Sequence, residues 1–371
     1  MSTLFPFGLP AATAFYLCLY LATLVVHLVF MHYVLAGSIY LAFGRLMGKN
    51  RCQACSWQLI LVDWLPFATG LAITAGVGPL LFVQILYGRE FATANLLLSH
   101  RWMAILPVLI VCFYLLYLQK SAWISRRAWA WRPAVAAIAC AGFLFIAWSW
   151  TENHLLMLDR AAWPGMYATS SLWYDSAGVL PRVAAWCFVA FPSLAIELAW
   201  QDRLLGDRLN EPAAADTRVL RLSPVRRLAV TALSGLAGTL LAAWAYWPAI
   251  PAAARAAITG PLGGPWLIVA AVAVVMQIAA WSITLVIERL PRVMLIVMTA
   301  AWVASLLSIA AVRETIRLAA VDLAAAREIH QTALGIGGLP VFLLFAILNV
   351  AAICWCIRTV RVQLATRTDR T

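Results

Sequence analysis

The sequence predicts an all-α membrane protein, a single domain of about nine transmembrane helices with its N-terminus outside the cytoplasm and its C-terminus inside. Three observations carry this reading. Of 371 residues, 64% are hydrophobic and only 11% charged, where a soluble domain carries about 25% charged residues. The apolar residues gather into runs of about 20 or more, the length that crosses hydrocarbon. The basic residues behind the net charge of +12 lie between those runs, which reads as topology and lipid head-group contact rather than as a nucleic-acid surface.

Taken in order, the expected spans are 11–44, 60–86, 102–120, 133–157, 178–200, 225–247, 264–287, 293–312 and 337–358. The opening segment "MSTLFPFGLP" lacks a basic n-region and a small-residue cleavage site. The first run is also too long for a signal h-region, so it is expected to be a retained span. Pro107, Pro133, Pro181 and Pro224 sit at or near helix starts, where a missing N–H costs little. Most of the 27 basic residues fall in alternate links and the tail: Arg45, Lys49 and Arg51, then Lys120, Arg126, Arg127 and Arg132, then Arg203, Arg208, Arg218, Arg221, Arg226 and Arg227, then Arg289 and Arg292, and finally Arg358, Arg361, Arg367 and Arg370. That alternation places these links inside and fixes an odd number of spans. The longest outer segments are then 151–177, rich in Trp and Tyr, and 313–336, amphipathic. Cys52 and Cys55 form a lone C-x-x-C, half of a zinc site with no second half.

The candidate chemistry lies in five histidines and a pair of arginines. His27 and His32 fall within the first span; His100, His154 and His330 fall at the outer ends of spans or in the last outer segment. An imidazole in hydrocarbon is costly unless paired or ligated, and haem iron takes neutral histidine as an axial ligand. The two first-span histidines are about 140° apart around the helix, so they face different neighbours. His27 and His154 are the expected metal ligands, with His32 and His100 as further cofactor-binding candidates. Each has a plainer alternative, a hydrogen bond to a carbonyl or hydroxyl. Arg313 and Arg317 share one helix face. They suit haem propionates, lipid phosphate, or pairing with Glu314 and Asp322. Gly70, Gly76 and Gly78 with Pro66 and Pro79 interrupt the second span, either for a flat cofactor or for close helix packing. Asp63, Glu197 and Glu288 lie near inner ends and could begin a proton path toward His32, or pair with adjacent basic loops. C-x-x-C-H, Walker and H-E-x-x-H motifs are absent from the sequence.

The stretch "VVHLVFMHYVLAGSIYLAFG" around His27 and the second-span stretch "LPFATGLAITAGVGPLLFVQILYG" resemble the first two helices of subunit I of the cytochrome bd quinol oxidases. The resemblance covers about the first 90 residues by pattern and the rest by the nine-helix plan. It implies haem b, a haem ligand at His27 and exchange with quinone or quinol. The chain departs from that family elsewhere. Residues 102–120 hold no Asp or Glu, 178–200 holds no histidine, and neither a long outer quinol loop nor a Gly-Arg-Gln-Pro-Trp stretch is present. The expectation is therefore a haem b subunit of the bacterial inner membrane that passes electrons between quinone and a periplasmic c-type cytochrome. His100, His154, Arg313 and Arg317 would shape its outer site. The rival expectation is a haem-free membrane anchor, or a secondary transporter with a broken second helix.

Overall fold

The computed structural model describes residues 9–46, 56–121, 131–205, 223–321, 327–335 and 338–368. Cys52, Cys55 and Asp322 lie outside the described residues, as do Lys49, Arg51, Arg126, Arg127, Arg208, Arg218, Arg221 and Arg370. Among the described residues the elements are all helical: α1 (Ala11–Leu46), α2 (Ser56–Leu86), α3 (Gly88–Met103), α4 (Ile105–Lys120), α5 (Trp131–Leu158), α6 (Trp163–Thr169), α7 (Val179–Leu205), α8 (Pro224–Tyr246), α9 (Ala252–Thr259), α10 (Gly264–Ile287), α11 (Arg292–Ala320), α12 (Arg327–Gly335) and α13 (Gly338–Thr368).

Eight stretches are long and apolar enough to cross a membrane, with α3 and α4 acting as one span. The ninth expected span falls on α13, whose described apolar part, Pro340–Ala352, is shorter. The bundle alternates in direction. Tyr20 near the start of α1 meets Arg313 and Arg317 near the end of α11, and His154 at the end of α5 meets Arg182 at the start of α7. We call this the outer end, following the charge distribution.

Local chemistry explains the details. Ser223 caps α8 by accepting from the backbone N–H of Arg226 (3.3 Å), with Pro224 at the first helical position. Many hydroxyls in the spans return to carbonyls one turn earlier, as Thr23 does to Leu19 (2.7 Å) and Thr69 to Leu65 (2.7 Å), which satisfies them where no water is at hand. Gly235 lets α8 close on α7. A Cβ there would stand 2.6 Å from Pro192 and 2.8 Å from the carbonyl oxygen of Phe188. The third span begins earlier than expected because α3 continues outward through Gly88. A non-helical Ser99 (φ 46°, ψ −123°) kinks α3 near its end.

Candidate functional site

The bundle's most unusual interior feature is a cluster of ionic side chains at its outer end. Arg317, on α11, donates from Nε to Nε2 of His154 (2.7 Å) and from its terminal nitrogen to Glu314 (2.8 Å) and to the Tyr20 hydroxyl (2.9 Å). Tyr87, at the α2–α3 junction, donates to the other Glu314 oxygen (2.8 Å). Arg313 reaches Tyr20 and, at 3.4 Å, Glu314. Arg182, on α7, reaches His154 Nε2 (3.4 Å) and Tyr246 (3.5 Å). Glu314 is fully buried, and Arg317 and Arg182 are only 3% and 7% exposed.

Two properties of the cluster follow from elementary chemistry. A guanidinium can only donate, so His154 must present its Nε2 lone pair to the arginines. Its proton then sits on Nδ1, which is buried without a partner, as is Nε of Arg313. The lone pair that a metal would take from His154 is thus committed elsewhere. The geometry makes His154 an anchor for guanidinium groups, where the sequence suggested an iron ligand. Second, three arginines face one carboxylate, so among the described residues the cluster carries two surplus positive charges and two unmet donors. Buried charge without compensation is costly, and such a site suits a ligand bearing carboxylate or phosphate oxygens.

His27 lies seven residues after Tyr20, two helical turns or about 10 Å deeper on nearly the same face of α1. Its Nδ1 lies 3.0 Å from the carbonyl oxygen of Ala72 on α2. A carbonyl can only accept, so Nδ1 carries the proton and Nε2 keeps its lone pair. Gly76 makes room for the ring, since a Cβ there would stand 3.0 Å from Cε1 of His27. The clearance that the second-span glycines provide is filled here by the imidazole itself. Gly78 likewise admits Thr23, at 3.1 Å. Both prolines lie inside a helix that stays continuous through Pro66 and Pro79, so the broken helix of the transporter reading is not seen.

The other histidines are dispersed. His32 is wholly buried, with Nδ1 2.8 Å from Ser193 Oγ and Nε2 unpartnered. His100 is exposed, with Nδ1 3.2 Å from Oγ of its neighbour Ser99. His330, on α12, bonds Thr13 at the start of α1 (2.7 Å), and burial pushes its pKa below the ordinary value. No group of three or more metal-ligating side chains occurs among the described residues, an arrangement that one- or two-ligand haem binding does not need.

Sequence reasoning missed Arg182, Tyr20, Tyr87 and Tyr246. Arg182, in "LPRVAAW", falls inside the 178–200 run. Its depth in that run was the available signal. The pairing of Arg313 and Arg317 with Glu314 was one of the stated alternatives and is the one observed. No protein-family model, curated protein or solved structure matches the chain.

Proposed function

We propose that the protein is a haem b-binding membrane subunit of a bacterial respiratory complex, passing electrons between the quinone pool and a c-type cytochrome at the outer face. One observation carries the cofactor: an imidazole with an uncommitted Nε2 lone pair stands two turns below a buried cluster with two surplus positive charges. A haem b has one iron to take the first and two propionates to neutralise the second. The unmet donors at Arg313 Nε and His154 Nδ1 fit carboxylate acceptors. The quinone and cytochrome partners enter through the resemblance to cytochrome bd subunit I.

In this reading the Ala72 carbonyl holds His27 in the ligating tautomer and raises its basicity, the usual task of such an outer partner. Arg182, Arg313 and Arg317 orient the carboxylates, and Glu314 with Tyr20 and Tyr87 keeps the guanidiniums in place. Bound there, haem would supply the one-electron chemistry of the transfer. The test is haem content. Purified protein assayed as the pyridine haemochrome should contain b-type haem in stoichiometric amount, and Arg313→Gln with Arg317→Gln should lower it. Protein purified folded but without haem, from haem-replete cells, would remove the proposal.

A further inference from the structure

Of the three carboxylates near the inner ends of spans, two have plain partners at the surface. Asp63 pairs with Lys120 (3.1 Å) and Glu288 with Arg226 (3.2 Å), all four well exposed. Glu197 on α7 is different. Both of its carboxyl oxygens are buried with no hydrogen-bond partner, and no ion pair reaches it among the described residues.

Glu197 belongs to a polar stripe. Ser193, Glu197 and Gln201 are spaced by four and share one face of α7. That face meets α1 above and below Glu197. Ser193 lies 2.8 Å from His32, and Gln201 accepts from the Tyr33 hydroxyl (3.1 Å). Glu197 stands one turn, about 6 Å, inward of Ser193. His32 is 0% exposed with Nε2 unpartnered, and Ser193 is held from a third side by the indole N–H of Trp302 (2.7 Å). Among the described residues the groups shown against the stripe are His32 and Tyr33 from α1 and the non-titrating Trp302 from α11, with the Trp186 ring beside His32 and the neutral His27 further along α1. None of them carries a fixed charge.

An ionised carboxylate without a partner in such surroundings would be very costly. A neutral acid is not, but its O–H then needs an acceptor, and His32 has an unmet ring nitrogen. A water with two such partners is a reasonable tenant of a polar interior site. We propose that Glu197 and His32 form a proton-holding site reached from the inner end of the bundle. The carboxyl O–H bond breaks, one proton moves through intervening water to the imidazole, and a carboxylate–imidazolium pair results with no net change in charge. Gln201 and Tyr33 line the approach from the inner side, and Ser193 with Trp302 fixes the His32 ring. The site does not rest on the haem reading, because both groups belong to the protein itself.

Infrared difference spectroscopy on the purified full-length protein tests this. At neutral pH the C=O stretch of a neutral carboxylic acid should be present, absent in Glu197→Gln, shifted in D2O, and moved again by His32→Gln. Should Glu197→Gln or His32→Gln fail to fold, Glu197→Asp and Ser193→Ala give the same readings through a shifted rather than a missing band. A missing band in the wild type, showing an ionised Glu197, overturns the proposal. So does a band indifferent to both D2O and the His32 or Ser193 change, which would mark a sealed structural acid. Haem-free protein serves equally well, so failure here is distinct from failure of the haem assay.

Discussion

Two buried arginine sites lie at the same end of the bundle and differ in charge balance. At the α3–α5 contact, Arg101 pairs with Glu152, which also accepts from the Trp148 indole (2.5 Å), while the Trp173 ring lies 3.8 Å from the guanidinium carbon. Beside it, Asn153 bonds Asn95 (2.6 Å) and Arg160 bonds Glu90 (2.5 Å). Each arginine there has its own carboxylate. The cluster of Arg182, Arg313 and Arg317 shares a single Glu314. Neither burial nor an unmet donor alone therefore sets the cluster apart, since Arg101 also keeps Nε and one terminal nitrogen without partners; the surplus of charge does. The first site ties a kinked helix to the bundle, and the second is the one that the proposed function assigns to an anion from outside the chain.

The comparison breaks most readily at the balanced pair. Arg101→Ala or Glu152→Ala leaves its partner's charge buried alone and should cost about 3–5 kcal/mol, read from unfolding in detergent. If both changes are mild, the pair is not structural. A smaller effect, about 1–3 kcal/mol, is expected from Gly235→Ala, because the Phe188 carbonyl facing the new methyl belongs to the backbone and cannot step aside. Arg182→Gln should behave in the opposite sense to Arg101→Ala. In ligand-free protein it removes a surplus charge, so stability should change by less than about 1 kcal/mol or rise. A loss as large as that of Arg101→Ala would show that the surplus is compensated within the chain.

The smallest effect concerns pH at the α12–α1 contact. Burial holds the His330 pKa below its ordinary value, whereas the unfolded chain takes up the proton near pH about 6.5. The unfolded state therefore binds more protons below that pH, and the stabilisation present at higher pH is lost on acidification. The thermal midpoint should fall more for wild type than for His330→Gln between about pH 7.5 and about pH 5.5. Equal falls would show that His330 keeps its ordinary titration.

The spans were legible because twenty-residue apolar runs and alternating basic links are one-dimensional signals. The 264–287 run was read with the same limits that α10 shows. The outward extension of the third span was not legible. Residues 88–101 contain Arg89, Glu90, His100 and Arg101, and read alone as a polar link. The partners that bury Glu90 and Arg101 are Arg160 and Glu152, some 50 to 70 positions away. The outer cluster was half legible for the same reason. Arg313 and Arg317 share a helix face and could be paired by spacing, whereas Arg182, Tyr20 and Tyr87 join them only through the packing of four other helices. Even the His154 tautomer depends on Arg317, 163 positions further along.

The central claim is that His27 offers its Nε2 to a haem whose carboxylates the arginine cluster neutralises. The most direct measurement is a reduced-minus-oxidised optical spectrum of purified wild type, His27→Ala and Arg313→Gln. The account predicts a b-type haem spectrum in wild type, its loss in His27→Ala, and a shifted or weakened spectrum in Arg313→Gln. A b-type spectrum that survives unchanged in His27→Ala would contradict it.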